Sequence, residues 1–148
     1  MVTVLFSKRQ HPGSYLIRAV TWSSWSHCEL LHEDGQTLIG AAAPHGVVHD
    51  TLQNRLTIAE SVVRMDFPGD FSAAWQFAES QFNRPYDWSG VVGLGLHRDW
   101  EADDKWFCSE LVGAALHAAG FMPYRADILR RLTPQHLWML DYPTTRLK

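Results

Sequence analysis

The sequence predicts an α+β fold: an antiparallel sheet drawn mainly from the first half of the chain, packed against helices from the second. Three observations predict it. Strand-compatible apolar runs, two of them joined by a tight-turn signal, dominate as far as Phe67. From Asp70 the apolar residues switch to helical spacing. The segment Lys105 to Phe121 then carries the most regular amphipathic helix pattern in the chain.

Taken in order, Val2 to Phe6 is apolar and β-branched, a first strand that His11-Pro12-Gly13 breaks. Ser14 to Thr21 reads as a short helix capped by Ser14, leading into the polar stretch Trp22 to Ser26. "HCELLH" and "TLIGAAA" read as a β-hairpin, because Asp34-Gly35 between them favours a tight turn. Side chains alternate along a strand, so His27, Glu29 and Leu31 share one face and Cys28, Leu30 and His32 the other. "PHGVVHD" adds a turn and a short strand, and Leu56 to Phe67 reads as another strand, ended by Pro68-Gly69.

Behind Asp70 as a cap, Phe71, Ala74, Trp75, Ala78 and Phe82 recur at helical spacing. "NRPYDWSG" is a loop and "VVGLGL" a short, glycine-weakened helix. In "KWFCSELVGAALHAAGF" the residues Phe107, Leu111, Val112, Ala115, Leu116 and Ala119 form the buried stripe and Gly120 the stop. "TPQHLWML" gives a last short helix, with Thr133 capping and Pro134 in the first turn. Internal repeats, low-complexity tracts and linkers are absent, so residues 1–148 are expected to form a single domain.

Composition narrows the function. With 46% hydrophobic and 20% charged residues, the chain can build a core. A net charge of −3 with scattered Lys and Arg lacks the basic footprint that phosphate backbones need, which argues against a nucleic-acid partner. No apolar stretch is long enough to span a bilayer, and the N-terminal apolar run precedes its basic residues, the reverse of a secretory signal. The expectation is a cytoplasmic protein, or one released by lysis or carried by a phage. The two cysteines, Cys28 and Cys108, form neither a disulfide framework nor a CxxC motif. Of seven tryptophans, Trp22, Trp25, Trp88, Trp100 and Trp106 gather around the segments that carry chemistry, as walls of a cleft or as ordinary core.

Cys108 is the first of those segments' reactive groups. It follows Asp103, Asp104 and Lys105, residues suited to a helix start, which places its sulfur in the first turn. Unpaired backbone N–H groups and the positive end of the helix dipole favour a thiolate there. An imidazolium beside it would stabilise the thiolate before attack and protonate the leaving group afterwards. His27, at the edge of the hairpin, is the candidate base. The plainer alternatives are a small buried hydrophobe for Cys108 and a structural histidine for His27. Cys28 faces away from His27 and reads as core. His32, Glu33 and Asp34 surround an exposed turn without ligand geometry, so neither a metal nor any other cofactor is expected. Asp87, Ser109, Glu110 and His117 read as structural.

The ordered set "SHCELL", a DG turn, "LIGAAAPHGV", "RPYDW", "KWFCSELV" and "LTPQHL" resembles the circularly permuted papain-like hydrolases. These are the permuted NlpC-type cysteine peptidases, including the YiiX/YebB-like group and, more distantly, the lecithin retinol acyltransferase-like enzymes. The resemblance runs from about Ser14 to Leu137. It implies a permuted papain-like fold with the nucleophile Cys108 at a helix N-terminus packed on the sheet, and His27 as general base. It implies also that Tyr86 lies beside the nucleophile and helps hold the oxyanion. The family usually orients the imidazole with a polar residue from the strand after the histidine, but here that strand reads "LIGAAA" and Gly40 or an alanine holds the slot. Glu29 is the local substitute, though two residues along a strand is a long reach; His45 and a main-chain carbonyl are alternatives. If none reaches, the site would be slow, specialised or inactive.

Two functions follow as expectations. One is a thiol hydrolase, acting on peptide or peptidoglycan-type amides or, on the retinol acyltransferase side, on lipid acyl groups. The other is a non-catalytic binding or assembly module on the same scaffold, which the vacant slot favours.

Overall fold

The computed structural model describes residues 1–88 and 105–148. The short helix expected over 91–96, along with Trp100, Asp103 and Asp104, lies outside the described residues.

The architecture is α+β. Six strands form one sheet in the order β4-β3-β2-β1-β5-β6, with every neighbouring pair antiparallel. Strand β1 (Val2–Lys8) is central, paired on one side with β2 (His27–Leu31) and on the other with β5 (Ser61–Phe67). Its residues alternate between two apolar layers: Val4 and Phe6 face the main core, and Leu5 faces a smaller one with Leu31, Leu38 and Val62. The hairpin β2–β3 (β3, Thr37–Ala42) forms as expected. Asp34 Oδ1 accepts from the N–H groups of Gln36 and Thr37, and Gly35 takes the left-handed φ of 70° that the turn requires. Strand β4 (Gly46–Thr51) closes one edge, and β6 (Thr144–Arg146), unforeseen because it is only three residues long, closes the other.

Two helices cover the main-core face. Asp70 caps α3 (Phe71–Ser80) by accepting from Ser72 N–H. Only Ala74 and Ala78 of the expected stripe are buried; Phe82 lies beyond the helix end and is exposed. Helix α4 (Cys108–Ala118) packs across β2 and β3 with its whole expected stripe in the core, and Gly120 ends it at φ 82°. Its start is organised by Glu110, whose carboxylate accepts the Phe107 N–H at 3.0 Å. Helix α5 (Pro134–Trp138) begins at Thr133 as predicted, preceded by an unforeseen 3-10 segment over Ala126–Arg131. The Ser109 hydroxyl donates to the Leu132 carbonyl and ties that segment's end to α4.

Two expectations are corrected. Helix α1 (Pro12–Thr21) starts two residues earlier than read, capped by the His11 ring accepting from Gly13 N–H. Ser14 instead turns inward, accepting from Arg9 N–H and donating to Ser26 Oγ. The segment read as a strand from Leu56 begins as helix α2 (Leu52–Ile58), with Thr51 accepting from Asn54 N–H. Leu52, Leu56 and Ala59 lie on one helical face, the spacing that packs them under the smaller core.

Candidate active site

The site lies where the start of α4 meets the start of β2. Because β2 is held in register by β1, with Cys28 opposite Phe6 and His27 opposite Ser7, the imidazole is carried on a stiff platform at the sheet's end. His27 Nε2 lies 3.2 Å from Glu29 Oε2, so the two-residue reach along the strand is made. Arg55, from α2 on the far side of the sheet, fixes the other end of that carboxylate. Its Nη2 donates to Glu29 Oε2 at 2.9 Å, and its Nε stands 2.6 Å from Oε1, off the line of a hydrogen bond. Asp50 Oδ2 takes a second contact from Arg55 Nη2 at 3.1 Å.

The geometry accounts for Gly40. A Cβ at that position would lie 2.7 Å from Glu29 Cβ and 3.5 Å from Glu29 Oε2. The slot on the adjacent strand is empty of a side chain because the carboxylate from β2 fills the space. His45, the other alternative, is exposed on the β3–β4 turn.

Cys108 is 1% exposed, and the neighbours that act on its ionisation are His27 and Cys28 of β2. Burial alone would raise its pKa, but hydrogen bonds from the Cys28 side chain and from His27, the charge of His27 and a backbone hydrogen bond from Cys28 outweigh it, holding the thiol well below its ordinary value. His27 moves the other way: burial opposes its charged form, yet the Glu29 carboxylate and the contact with Cys108 raise it to about 9. Glu29 is lowered, since His27 and Arg55 overcome the effect of its burial. The two shifts run in the directions that favour a thiolate and an imidazolium backed by a carboxylate.

Cys28 sits in the main core, on the face away from Glu29, in the same cluster as Cys108; burial and then the Cys108 thiol lift its pKa. Alternation gave its face but not that neighbour, because the position of α4 over β2 is not written in β2. Arg55 stands just before the stretch that reads as strand, Leu56 to Phe67, and the sequence pattern assigns it no role; the Thr51-x-x-Asn54 cap and the spacing of Leu52, Leu56 and Ala59 are the available signal. Tyr86 is buried beside the pair, its phenol raised well above its usual range by burial and then by the charge of Cys108. Its backbone bridges to Trp106, next to the start of α4, and its ring meets Phe107 edge-on at 6.1 Å.

An open cavity of about 480 Å³ reaches His27, Arg55 and Tyr86 from outside, while Cys108 and Glu29 lie behind its lining. Its lining includes Ser14, Ile17, His27, Arg55, Tyr86 and Trp88. Trp25 and Trp106 belong to the core, while Trp22 and Trp88 are exposed.

No family model and no curated protein matches the chain. A solved structure does: the crystal structure of metalloprotein yiiX from Escherichia coli O157:H7, DUF1105, aligns over 99% of this chain and 95% of its own, with 19% identity and a TM-score of 0.69. The fold is YiiX-like. That likeness concerns the fold, and the word metalloprotein belongs to that protein. Among the described residues no group of three His, Cys, Asp or Glu side chains could hold a metal ion. Glu29, the carboxylate next to His27, already has both oxygens engaged by Arg55 and His27. Among the described residues the donors around His27 do not make a metal site. Among the described residues, too, no helix is long and apolar enough to cross a membrane.

Proposed function

We propose that this protein is a thiol hydrolase of the permuted papain-like kind, with Cys108 as nucleophile, His27 as acid and base, and Glu29 as the group that orients the imidazole. The observation that carries this reading is the His27 ring 3.2 Å from a Glu29 carboxylate that Arg55 fixes in turn, with the buried Cys108 thiol at the start of α4 near enough to act on the imidazole's charge. Nucleophile, base and orienting group in series are what covalent acyl transfer needs.

The thiolate attacks the carbonyl carbon of an amide, and negative charge gathers on the carbonyl oxygen. Tyr86, a phenol held protonated, and backbone N–H groups at the start of α4 are the donors available to it. The imidazolium gives its proton to the leaving nitrogen, the amine departs and a thioester remains. Neutral His27 then takes a proton from water as the water attacks the thioester, which releases the carboxylic acid and restores the thiolate and imidazolium.

The first substrate class is a peptide amide, including the peptidoglycan type. A second reading, an acyl ester or lipid amide, is favoured by the apolar side chains of Leu16, Ile17, Pro44 and Trp88 along the cavity. The binding-module alternative rested on the vacant slot, which Glu29 fills.

The test is alkylation of Cys108 by iodoacetamide near neutral pH, alongside turnover of peptidoglycan fragments and of simple acyl esters. Fast labelling slowed about tenfold or more in His27→Ala, with loss of turnover in Cys108→Ala, is the expected result. Slow labelling that ignores the His27 substitution would overturn the reading.

A further inference from the structure

Helix α1 is amphipathic with its faces reversed. A surface helix ordinarily turns its apolar stripe to the core, but the buried residues of α1 are Ser14 and Thr21, with Ile17 partly buried against the core. Outward go Tyr15 at 51% exposed, Leu16 at 62% and, one step past the end, Trp22 at 87%. With Ala19, also exposed, these residues fall on one side of the helix. Trp22 stands at the C-cap in the left-handed conformation, φ 51°, a position where glycine is favoured and a bulky residue is an outlier. The fold thus holds an exposed tryptophan in a conformation that a smaller residue would adopt at less cost. Leu16 also lines the cavity that leads to His27, and Trp88, 55% exposed, stands on the same cavity wall.

Basic residues border this face: Arg9 lines the same cavity as Leu16, and Arg18 lies on α1 itself. Lys8, Arg9 and Arg18 precede Glu29, the first acidic residue of a chain whose net charge is −3. Among the described residues no carboxylate forms an ion pair with any of the three. Glu60 is the acid that shares a surface hollow with Arg9 and His11. The Arg18 guanidinium lies over the Tyr15 ring, 4.8 Å from its centroid, beside the apolar face.

An apolar face with aromatic residues, bordered by unpaired basic side chains, is the composition of a helix that lies in the boundary between lipid headgroups and acyl chains. We propose that α1, with Trp22 and Trp88, is an interfacial face that seats this protein on an anionic lipid surface, with the mouth of the active-site cavity turned toward the bilayer. The apolar side chains enter the acyl boundary while Arg9 and Arg18 meet anionic headgroups. Docking does not rest on the hydrolase reading, although an amphiphile leaving the bilayer could enter the cavity past Leu16.

The experiment is flotation of the full chain with vesicles of phosphatidylcholine alone and with added phosphatidylglycerol. Expected is binding to the anionic vesicles that weakens with salt, since screening shortens the reach of these charges. Arg9→Gln and Arg18→Gln should each weaken it by about fivefold, the loss expected for one basic side chain near such a surface. Leu16→Ser and Trp22→Gly should weaken it by about tenfold or more. Trp22→Gly is the decisive variant, because it relieves the left-handed cap and should fold at least as well while binding less. Met139→Ser, at another exposed apolar site, should bind as the parent does, and so should Cys108→Ala, which separates docking from catalysis. Failure to float with either vesicle, or binding indifferent to Leu16→Ser and Trp22→Gly, overturns the proposal. So does a dimer that Trp22→Gly dissociates, which would make a second copy the occupant.

Discussion

A side chain at position 40 would begin 2.7 Å from Glu29 Cβ, so glycine there is what lets a carboxylate stand between His27 and Arg55. Two substitutions separate space from charge. Gly40→Ala overpacks the slot and should cost about 1–3 kcal/mol of stability while pushing Glu29 off His27. Glu29→Gln keeps the volume and removes the charge. Burial then dominates at His27, which loses the main support of its charged form, and its pKa falls from about 9. On the proposed mechanism His27 must carry a proton for the leaving group, so the alkaline limb of kcat/KM lies near that value in the parent and moves to lower pH in Glu29→Gln. A pH profile of hydrolysis, or NMR titration of the His27 ring, reads this directly. An unmoved limb would remove Glu29 from its positioning role.

Among the elements, α2 reaches this site from the other face of the sheet, because it brings Arg55 through to Glu29. Thr51→Ala removes the acceptor for Asn54 N–H and should cost about 1 kcal/mol. Activity should drop with it as Arg55 loosens, and Thr51→Ser should restore both in urea titration and turnover. The same helix marks the limit of what the chain's pattern discloses. Long elements with a strong period were legible: β1, the β2–β3 hairpin with its Asp34-Gly35 turn, α3 behind Asp70, and α4 with its complete buried stripe. Helix α2 is only seven residues long and its last two residues, Thr57 and Ile58, run on toward a β-rich segment, so its local pattern is ambiguous. The three-residue β6 exists only through pairing with β5, which has no local signature. The site divides similarly. Residue type and chain order drew attention to Cys108, His27, Glu29 and Tyr86, whereas the Cys28–Cys108 and Arg55–Glu29 pairings depend on how α4 and α2 dock onto the sheet.

For the molecule as a whole, these buried ionisable groups set how stability varies with pH. Folded His27 keeps a proton that the unfolded chain releases above 6.5, until about 9. Folded Cys108 has lost a proton that the unfolded chain holds up to 9.0. Across the range they share, the two differences oppose one another, and the pair contributes little net slope. Glu110 has no such counterpart. Burial, with the charges of Asp87 and Cys108, raises its carboxyl from 4.5 to about 8 against the pull of the Phe107 N–H and Arg130. Its contribution is therefore full below 4.5 and lost as pH rises through about 8. Glu29 acts in the opposite sense, present above 4.5 and lost as pH falls through its lowered folded value. Stability should accordingly peak on the acid side of neutrality and decline toward pH 8, by an amount on the order of a few kcal/mol, since each pKa unit corresponds to about 1.4 kcal/mol. Glu110→Gln mimics the protonated acid, with the amide oxygen still able to accept the Phe107 N–H, so its urea midpoints should be nearly flat over that range where the parent's fall. Equal declines in both chains would show that the slope arises elsewhere than at the start of α4.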